Sequence, residues 1–234
     1  MLLADKPSKI AADADSVEES QDSTVDGLLQ LMAQAKTDLL VVSPYFVPGK
    51  MMMAQFADIR RRGVRIRILT NSLASNDAPA AHAGYARYRK DLLAMGIELY
   101  EMRADQEGSV TSFGTTGSSG SSSGSSRASL HAKVVVIDGR LLVVGSMNLD
   151  LRSKLQNSEI AIVIRNGKLA MEATKLIEPG LAKRSYRMEL SEGQLIWHAP
   201  EGSGLKDTSI EPDASLGLRL MVDLISPFAP DEML

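Results

Sequence analysis

The sequence predicts an α/β fold: a mixed, largely parallel β-sheet flanked by helices. Three observations predict it. Apolar runs of strand length alternate with segments of helical period along residues 27–100. Glycines close the helical segments. An Asp-Gly pair later joins two apolar runs, the signal of an antiparallel hairpin in the same sheet. Taken in order, Leu28, Leu31, Met32 and Ala35 give residues 27–36 a helical face. Residues 38–43 (DLLVVS) read as a buried strand closed by Pro44 and Pro48. Residues 51–62 form a short helix ended by Gly63. Val64, Ile66 and Ile68 alternate with Arg65 and Arg67, as in a half-buried strand. Residues 80–95 read as one longer helix ended by Gly96, and 97–100 as the next strand. Residues 108–126 are Ser/Gly low complexity and read as a flexible loop. Strands at 130–137 and 141–145 meet at Asp138-Gly139. A further buried strand covers 158–164, a helix 168–177 and a short strand 195–197. Leu216, Leu220 and Leu224, with Met221 and Ile225, form an amphipathic stretch near the C-terminus.

The 234 residues, 44% apolar and 24% charged, can bury a sizeable core. Aromatics are only 4%, so aliphatic side chains and 12 Met must fill it. Cysteine is absent, which excludes a disulfide scaffold, a cysteine nucleophile and a thiolate metal site. The net charge of −3 argues against a nucleic-acid coat but permits local basic patches. No apolar run approaches the roughly 20 residues of a membrane span. Residues 1–26 hold seven acids against Lys6 and Lys9 and lack apolar periodicity, so they read as a linker or solvated arm. The expected organisation is this arm, a half-domain over 27–200 and a C-terminal extension over 201–234.

The chemistry concentrates in residues 131–159, which carry His131-x-Lys133, then Asp138, Gly145-Ser146-x-Asn148 and Glu159. On a strand, residues two apart face one side, so His131 and Lys133 are expected to point together. The Gly-Ser-x-Asn segment at the end of the next strand brings a hydroxyl, an amide and backbone N–H groups to the same rim. Those types suit phosphodiester chemistry. Phosphoryl oxygens gain charge in the transition state, and Lys133, Ser146 and Asn148 can donate to them. An imidazole can attack phosphorus or protonate the leaving alkoxide. A carboxylate such as Glu159 can fix the imidazole's tautomer. No ligand cluster for a metal is present, and neither a metal nor a cofactor is expected.

The pattern H-x-K-x4-D-x6-G-S-x-N identifies a resemblance to the phospholipase D superfamily, met here at all six defined positions. Further segments, SPYFVPG (43–49), LTNSLASND (69–77), HAGYARYRKDLL (82–93) and LRSKLQNSE (151–159), resemble the C-terminal half of bacterial phospholipase D-type cardiolipin synthases. ADKPSKI (4–10) resembles the connector between the halves of those enzymes. The resemblance implies a phosphatidyl transfer between glycerophospholipids through a phosphohistidine. It implies that His131 is general acid/base rather than nucleophile, that Lys133 and Asn148 bind phosphate with Ser146 in support, and that Glu159 orients His131. Asp138, at the turn, is expected to be structural, with Gly145 beside the site. Family enzymes pair two such motifs, whereas His82 and His198 here lack Lys at plus two. The chain is thus expected to be half of an active site. The other half would lie in the same native chain, of which this one is a fragment, or in a second copy. Expected partners are a phosphatidylglycerol-like substrate and a membrane surface bound peripherally on the cytoplasmic side of a bacterial inner membrane, without nucleic acid. Two other readings stay open: a one-motif phosphodiesterase or nuclease acting as a homodimer, and an inactive half that binds lipid or a partner.

The same resemblance suggests substrate binding by His82 and Tyr85 at the site's mouth, against a solvated helix face with a satisfied histidine. Trp197 and His198 read as packing or capping residues. Arg60, Arg61, Arg62, Arg65 and Arg67 lie within eight positions. They form a patch that could meet anionic lipid, or an ordinary solvated helix end. The 216–228 stretch carries one base, Arg219, beside Asp213 and Asp223, and reads as docking on protein rather than on a membrane.

Overall fold

A computed structural model describes residues 1–6, 9, 23–104, 115–118 and 127–226. The described elements are β1 (Leu2–Ala4), α1 (Thr24–Met32), β2 (Asp38–Val42), α2 (Gly49–Arg61), β3 (Arg65–Asn71), α3 (Pro79–Ala86), α4 (Arg89–Ala94), β4 (Glu98–Met102), β5 (Thr115–Ser118), β6 (Arg127–Leu130), β7 (Val134–Ile137), β8 (Leu141–Gly145), α5 (Leu151–Leu155), β9 (Ile160–Arg165), α6 (Gly167–Arg184), β10 (Ser185–Ser191), β11 (Gln194–His198) and α7 (Leu216–Ile225). Nine strands form one sheet in the order β1-β9-β8-β7-β2-β3-β4-β10-β11, and β5 pairs with β6 apart from it.

The fold is the expected mixed sheet flanked by helices, but its parallel share is smaller than the rhythm of the sequence suggests. Parallel pairing is confined to β2–β3 and β3–β4, where helices cross between strands. Both flanks are antiparallel. The side-chain alternation of β2 divides the core. Leu39 and Val41 face α1 and α2, with Leu28, Met32, Phe56, Ile59, Ile66 and Ile68. Leu40 and Val42 face α6, with Val134, Val136, Ala170, Ala173, Ile177 and Leu181.

Several boundaries differ from expectation for identifiable reasons. Helix α1 starts early because Ser23 caps it, its hydroxyl accepting from Asp26 N at 3.1 Å. The expected 80–95 helix is two helices, broken at Arg87 and Tyr88. Helix α6 runs past Ile177 and through Pro179 to Arg184. Packing of Ile177 and Leu181 on the sheet outweighs the roughly 3 kcal/mol that an interior proline costs. The expected 130–137 strand is interrupted: β6 ends at Leu130, β7 begins at Val134, and residues 131–133 belong to neither. Strand β10 went unexpected; it hairpins onto β11 through Glu192 and Gly193, both at positive φ. At the start of the expected solvated arm, Leu2–Ala4 is an edge strand paired to β9. Asp5 and Lys9 of the arm are also tied into the fold, and residues 24–26 open α1, while residues 7–8 and 10–22 lie outside the described residues, as does the 108–126 segment apart from 115–118. In the C-terminal extension, Leu218 and Val222 of α7 pack against Leu73 and Ala83, while Leu216, Leu220 and Leu224 face outward. Among the described residues, no helix is long and apolar enough to cross a membrane.

Candidate active site

One edge of the sheet gathers the ends of β2 and β8 and the starts of β7 and β9. His131 sits there, exposed, in the irregular link between β6 and β7. The buried amide of Asn71, at the end of β3, holds the residue before it. Leu130 N donates to Asn71 Oδ1 at 2.9 Å, and Asn71 Nδ2 donates to Leu130 O and Pro44 O, both at 3.3 Å. Lys133 is half-buried, and its ammonium donates to the His131 carbonyl at 2.9 Å. Burial lowers the Lys133 pKa, against the opposing charges of Glu159, Asp150 and Asp77. The strand alternation expected to align His131 and Lys133 is absent, since residues 131–133 lie between strands; the ammonium is instead tied to the His131 backbone.

Gly145 is required by close approach. A Cβ there would lie 2.5 Å from Ile160 O and 2.8 Å from Ala161 Cβ. Its neighbour Ser146 is fixed on β9: Ser146 N donates to Ile160 O at 2.9 Å, and Ile160 N donates to Ser146 Oγ at 3.1 Å. The same hydroxyl donates to Glu159. Glu159 is buried, and among the described residues it makes no hydrogen bond to His131; its side-chain partner is Ser146. Asn148 N donates to Ser153 Oγ at 3.1 Å, while its buried side-chain Oδ1 has no partner among the described residues. Leu149 N donates to Ser43 Oγ at 3.1 Å and Val47 N to Leu149 O at 2.8 Å, which stitch this loop to the one after β2. Beside it an apolar cleft of about 280 Å³ opens between Val25, Leu29, Pro48, Met52, Asp150 and Leu151.

The structure thus brings His131, Lys133, Ser146, Asn148 and Glu159 to one edge. Asp138 lies at the far end of β7, at φ 53°. Its carboxylate accepts from the backbone N–H groups of Lys36, Thr37 and Asp38, at 2.8–3.1 Å, and from the Thr37 hydroxyl. Burial alone would raise its pKa, but these donors hold it below the ordinary carboxylate value. His82 and Tyr85 do not line the mouth as the resemblance suggested. Both are buried. Arg89 Nη2 lies 2.7 Å from His82 Nε2, and Arg89 pairs with Glu101 at 2.9 Å and Glu211 at 2.5 Å. The Tyr85 ring stacks on that guanidinium, 4.9 Å away. Trp197 is buried and donates to Glu101 at 2.8 Å, and His198 lies between Glu189 and Asp207.

Two supports escaped sequence reasoning. One is Asn71, signalled only as a polar residue ending a buried strand. The other is Asp5, which accepts from Thr24 N at 2.6 Å and Glu159 N at 2.9 Å and pairs with Lys9. No local pattern marks Asp5. Among the described residues, no three His, Asp or Glu side chains are gathered as metal ligands.

Residues 28–179 match the family model described as cardiolipin synthase, PLD-like domain. Cardiolipin synthase C of Escherichia coli K12 is 38% identical over 231 residues, which are 96% of this chain and 46% of that protein. Cardiolipin synthase B of E. coli K12 is 25% identical over 193 residues, 77% of this chain and 40% of that protein. The chain therefore spans about half the length of these curated relatives. Among solved structures, phosphatidylserine synthase of Haemophilus influenzae superposes with a TM-score of 0.56 at 13% identity, covering 91% of this chain and 45% of that one. Nuc of Salmonella typhimurium, a phospholipase D family member, gives 0.51 at 20% identity, covering 71% of this chain and 91% of that one.

Proposed function

The chain belongs to the phospholipase D-like domain family of cardiolipin synthases, and from that premise we propose that it supplies one half of a phosphatidyltransferase site. The observation that carries this reading is the single edge holding an exposed His131, a half-buried Lys133 and Asn148, whose amide NH2 can donate and whose Oδ1 has no partner among the described residues. These groups offer one proton carrier and two donors for phosphoryl oxygens, so a second imidazole must come from a partner half. That half is another region of the native polypeptide or a second copy. The partner's imidazole attacks the phosphorus of a phosphatidylglycerol-like lipid. His131 protonates the departing alkoxide, then accepts the proton of the incoming lipid hydroxyl. Lys133 and Asn148 hold the phosphoryl oxygens as their charge grows, with Ser146 fixing the loop. Glu159 serves Ser146 and places a negative charge near Lys133, rather than bonding to His131 as the resemblance implied. The apolar cleft beside Asp150 supports a lipid substrate. Such a substrate supports peripheral attachment to a membrane surface.

The test is labelled phosphatidylglycerol given to the monomer, checked by sedimentation, and to the chain assembled with a second motif-bearing half. Cardiolipin should form only in the assembly. In the assembly, His131→Ala should slow phosphoenzyme formation about 10²–10⁴-fold, and a good leaving group should restore it. Turnover by the verified monomer overturns the half-site reading. Phosphate trapped on His131 itself reverses the two roles.

A further inference from the structure

A tyrosine–aspartate pair stands at the catalytic edge without a role in the scheme above. The Tyr45 hydroxyl donates to Asp77 Oδ1 at 2.5 Å, and Asp77 Oδ2 has no partner among the described residues. Burial and the Asp77 and Asp150 carboxylates push the Tyr45 phenol well above its ordinary range, so the hydroxyl stays a donor. Both residues sit on segments tied to the motif. Ser43 Oγ donates to Tyr45 O at 2.6 Å and accepts from Leu149 N, next to Asn148. The segment leading to Asp77 begins at Asn71, whose amide clamps Leu130 beside His131 and reaches Pro44 beside Tyr45. Asp77 is also close enough for its charge to act on Lys133. Asp77 is exposed and Tyr45 half-buried, so the free carboxylate oxygen is open to a ligand.

We propose that Asp77, held by Tyr45, is the acceptor subsite: it binds one hydroxyl of a vicinal diol and so presents the adjacent hydroxyl to phosphorus. This rests on the phosphatidyltransferase reading and names its acceptor class. In the transfer step the presented hydroxyl oxygen forms the new P–O bond while the P–N bond to the partner's imidazole breaks. The electron pair of that bond returns to the imidazole, and the hydroxyl proton passes to His131. Asp77 takes no proton and acts as a positioning residue. A vicinal diol gives Asp77 one hydroxyl to accept from while the adjacent hydroxyl reaches phosphorus, which ethanol, with one hydroxyl, cannot do.

The experiment uses the assembled two-motif enzyme with a labelled phosphatidyl donor and competing free acceptors: glycerol, ethanol and ethanolamine. The wild type should favour glycerol. Asp77→Asn should lower the glycerol-to-ethanol adduct ratio about 10-fold or more, the effect of losing a hydrogen bond to a charged group. Tyr45→Phe should lower it less, about 2–5-fold, because the carboxylate remains but is no longer held. The ratio is internal to each sample and does not depend on how much protein is folded. An unchanged ratio in Asp77→Asn, or equal loss for both alcohols, overturns the subsite. So does ethanolamine outcompeting glycerol in the wild type. Absence of any alcohol adduct from the wild type overturns the phosphatidyltransferase reading and the subsite with it.

Discussion

Two asparagines at the catalytic edge should respond oppositely to truncation. Asn71→Ala removes the acceptor for Leu130 N at 2.9 Å and the donor to Leu130 O and Pro44 O at 3.3 Å. Pro44 O keeps a bond from Thr70 Oγ1, and Ser75 Oγ keeps Met102 O, so the Leu130 N–H is the group left without a partner. A buried unsatisfied group costs about 1–3 kcal/mol, and the vacated volume adds to it. The expected loss is about 2–4 kcal/mol, a fall in melting temperature of roughly 5–15 °C for a chain of this size. Because the freed residue precedes His131, transfer activity should fall as well. Asn148→Ala removes an amide whose buried oxygen has no partner, so little folding energy depends on it. Its melting temperature should stay within about 2 °C of wild type, while activity drops about 10²–10³-fold, as for loss of one donor to a developing oxyanion. The assay is thermal melting of both variants followed by circular dichroism, with phosphatidyl transfer in the assembled enzyme. Asn71→Ala melting with the wild type, or Asn148→Ala melting as low as Asn71→Ala, refutes the division.

Two further outcomes follow from the geometry. Gly145→Ala should force β8 and β9 apart, because the new Cβ meets Ile160 O at 2.5 Å; urea unfolding should show a loss of about 1–3 kcal/mol or more, and an unshifted midpoint contradicts the close-approach argument. For Glu211, burial pushes the carboxyl up, but the Arg89 charge and hydrogen bond overcome this and hold it at about 2. Its folded value lies below the unfolded one, so the stability it adds is present above pH 4.5 and lost as pH falls toward 2. Glu211→Gln should be less stable than wild type at pH 7, with the gap closing between pH 4.5 and 2; a gap independent of pH speaks against the ion pair.

The motif edge was legible because its parts are local. Apolar runs gave β2, β3, β7 and β8, and Asp-Gly gave the hairpin that pairs Ile137 with Leu141. What escaped depends on contacts between distant segments. His82 and Tyr85 were expected at the mouth from the family resemblance of their segment. Their real partners are Arg89 on α4, with Glu101 on β4 and Glu211 beyond β11 bound to the same guanidinium, and no local pattern joins these. The helix expected over 168–177 continues through Pro179 to Arg184 because Leu181 packs on the sheet. The antiparallel flanks were undercounted because β1 is a three-residue edge strand and β10 lies in a stretch to which no element was assigned.

The spacing of the signature is itself explained by strand lengths. Four residues separate Lys133 from Asp138, and those four, Val134–Ile137, are the whole of β7. Asp138 is pinned to the backbone of Lys36, Thr37 and Asp38, just where β2 begins. That pin sets the pairing of Ile137 with Leu39 and of Val134 with Val42. A slip of one residue would turn the buried face of β7 outward and carry Lys133 about 3.3 Å along the strand, away from His131 and Asn148. The next six residues, Gly139 to Val144, are the turn and the body of β8, and Gly145 follows where β9 presses closest. Two of the defined positions, Asp138 and Gly145, therefore act at opposite ends of a two-strand ruler. The ruler delivers the ammonium, hydroxyl and amide to one rim, which is why a carboxylate at the far end of β7 belongs to the signature.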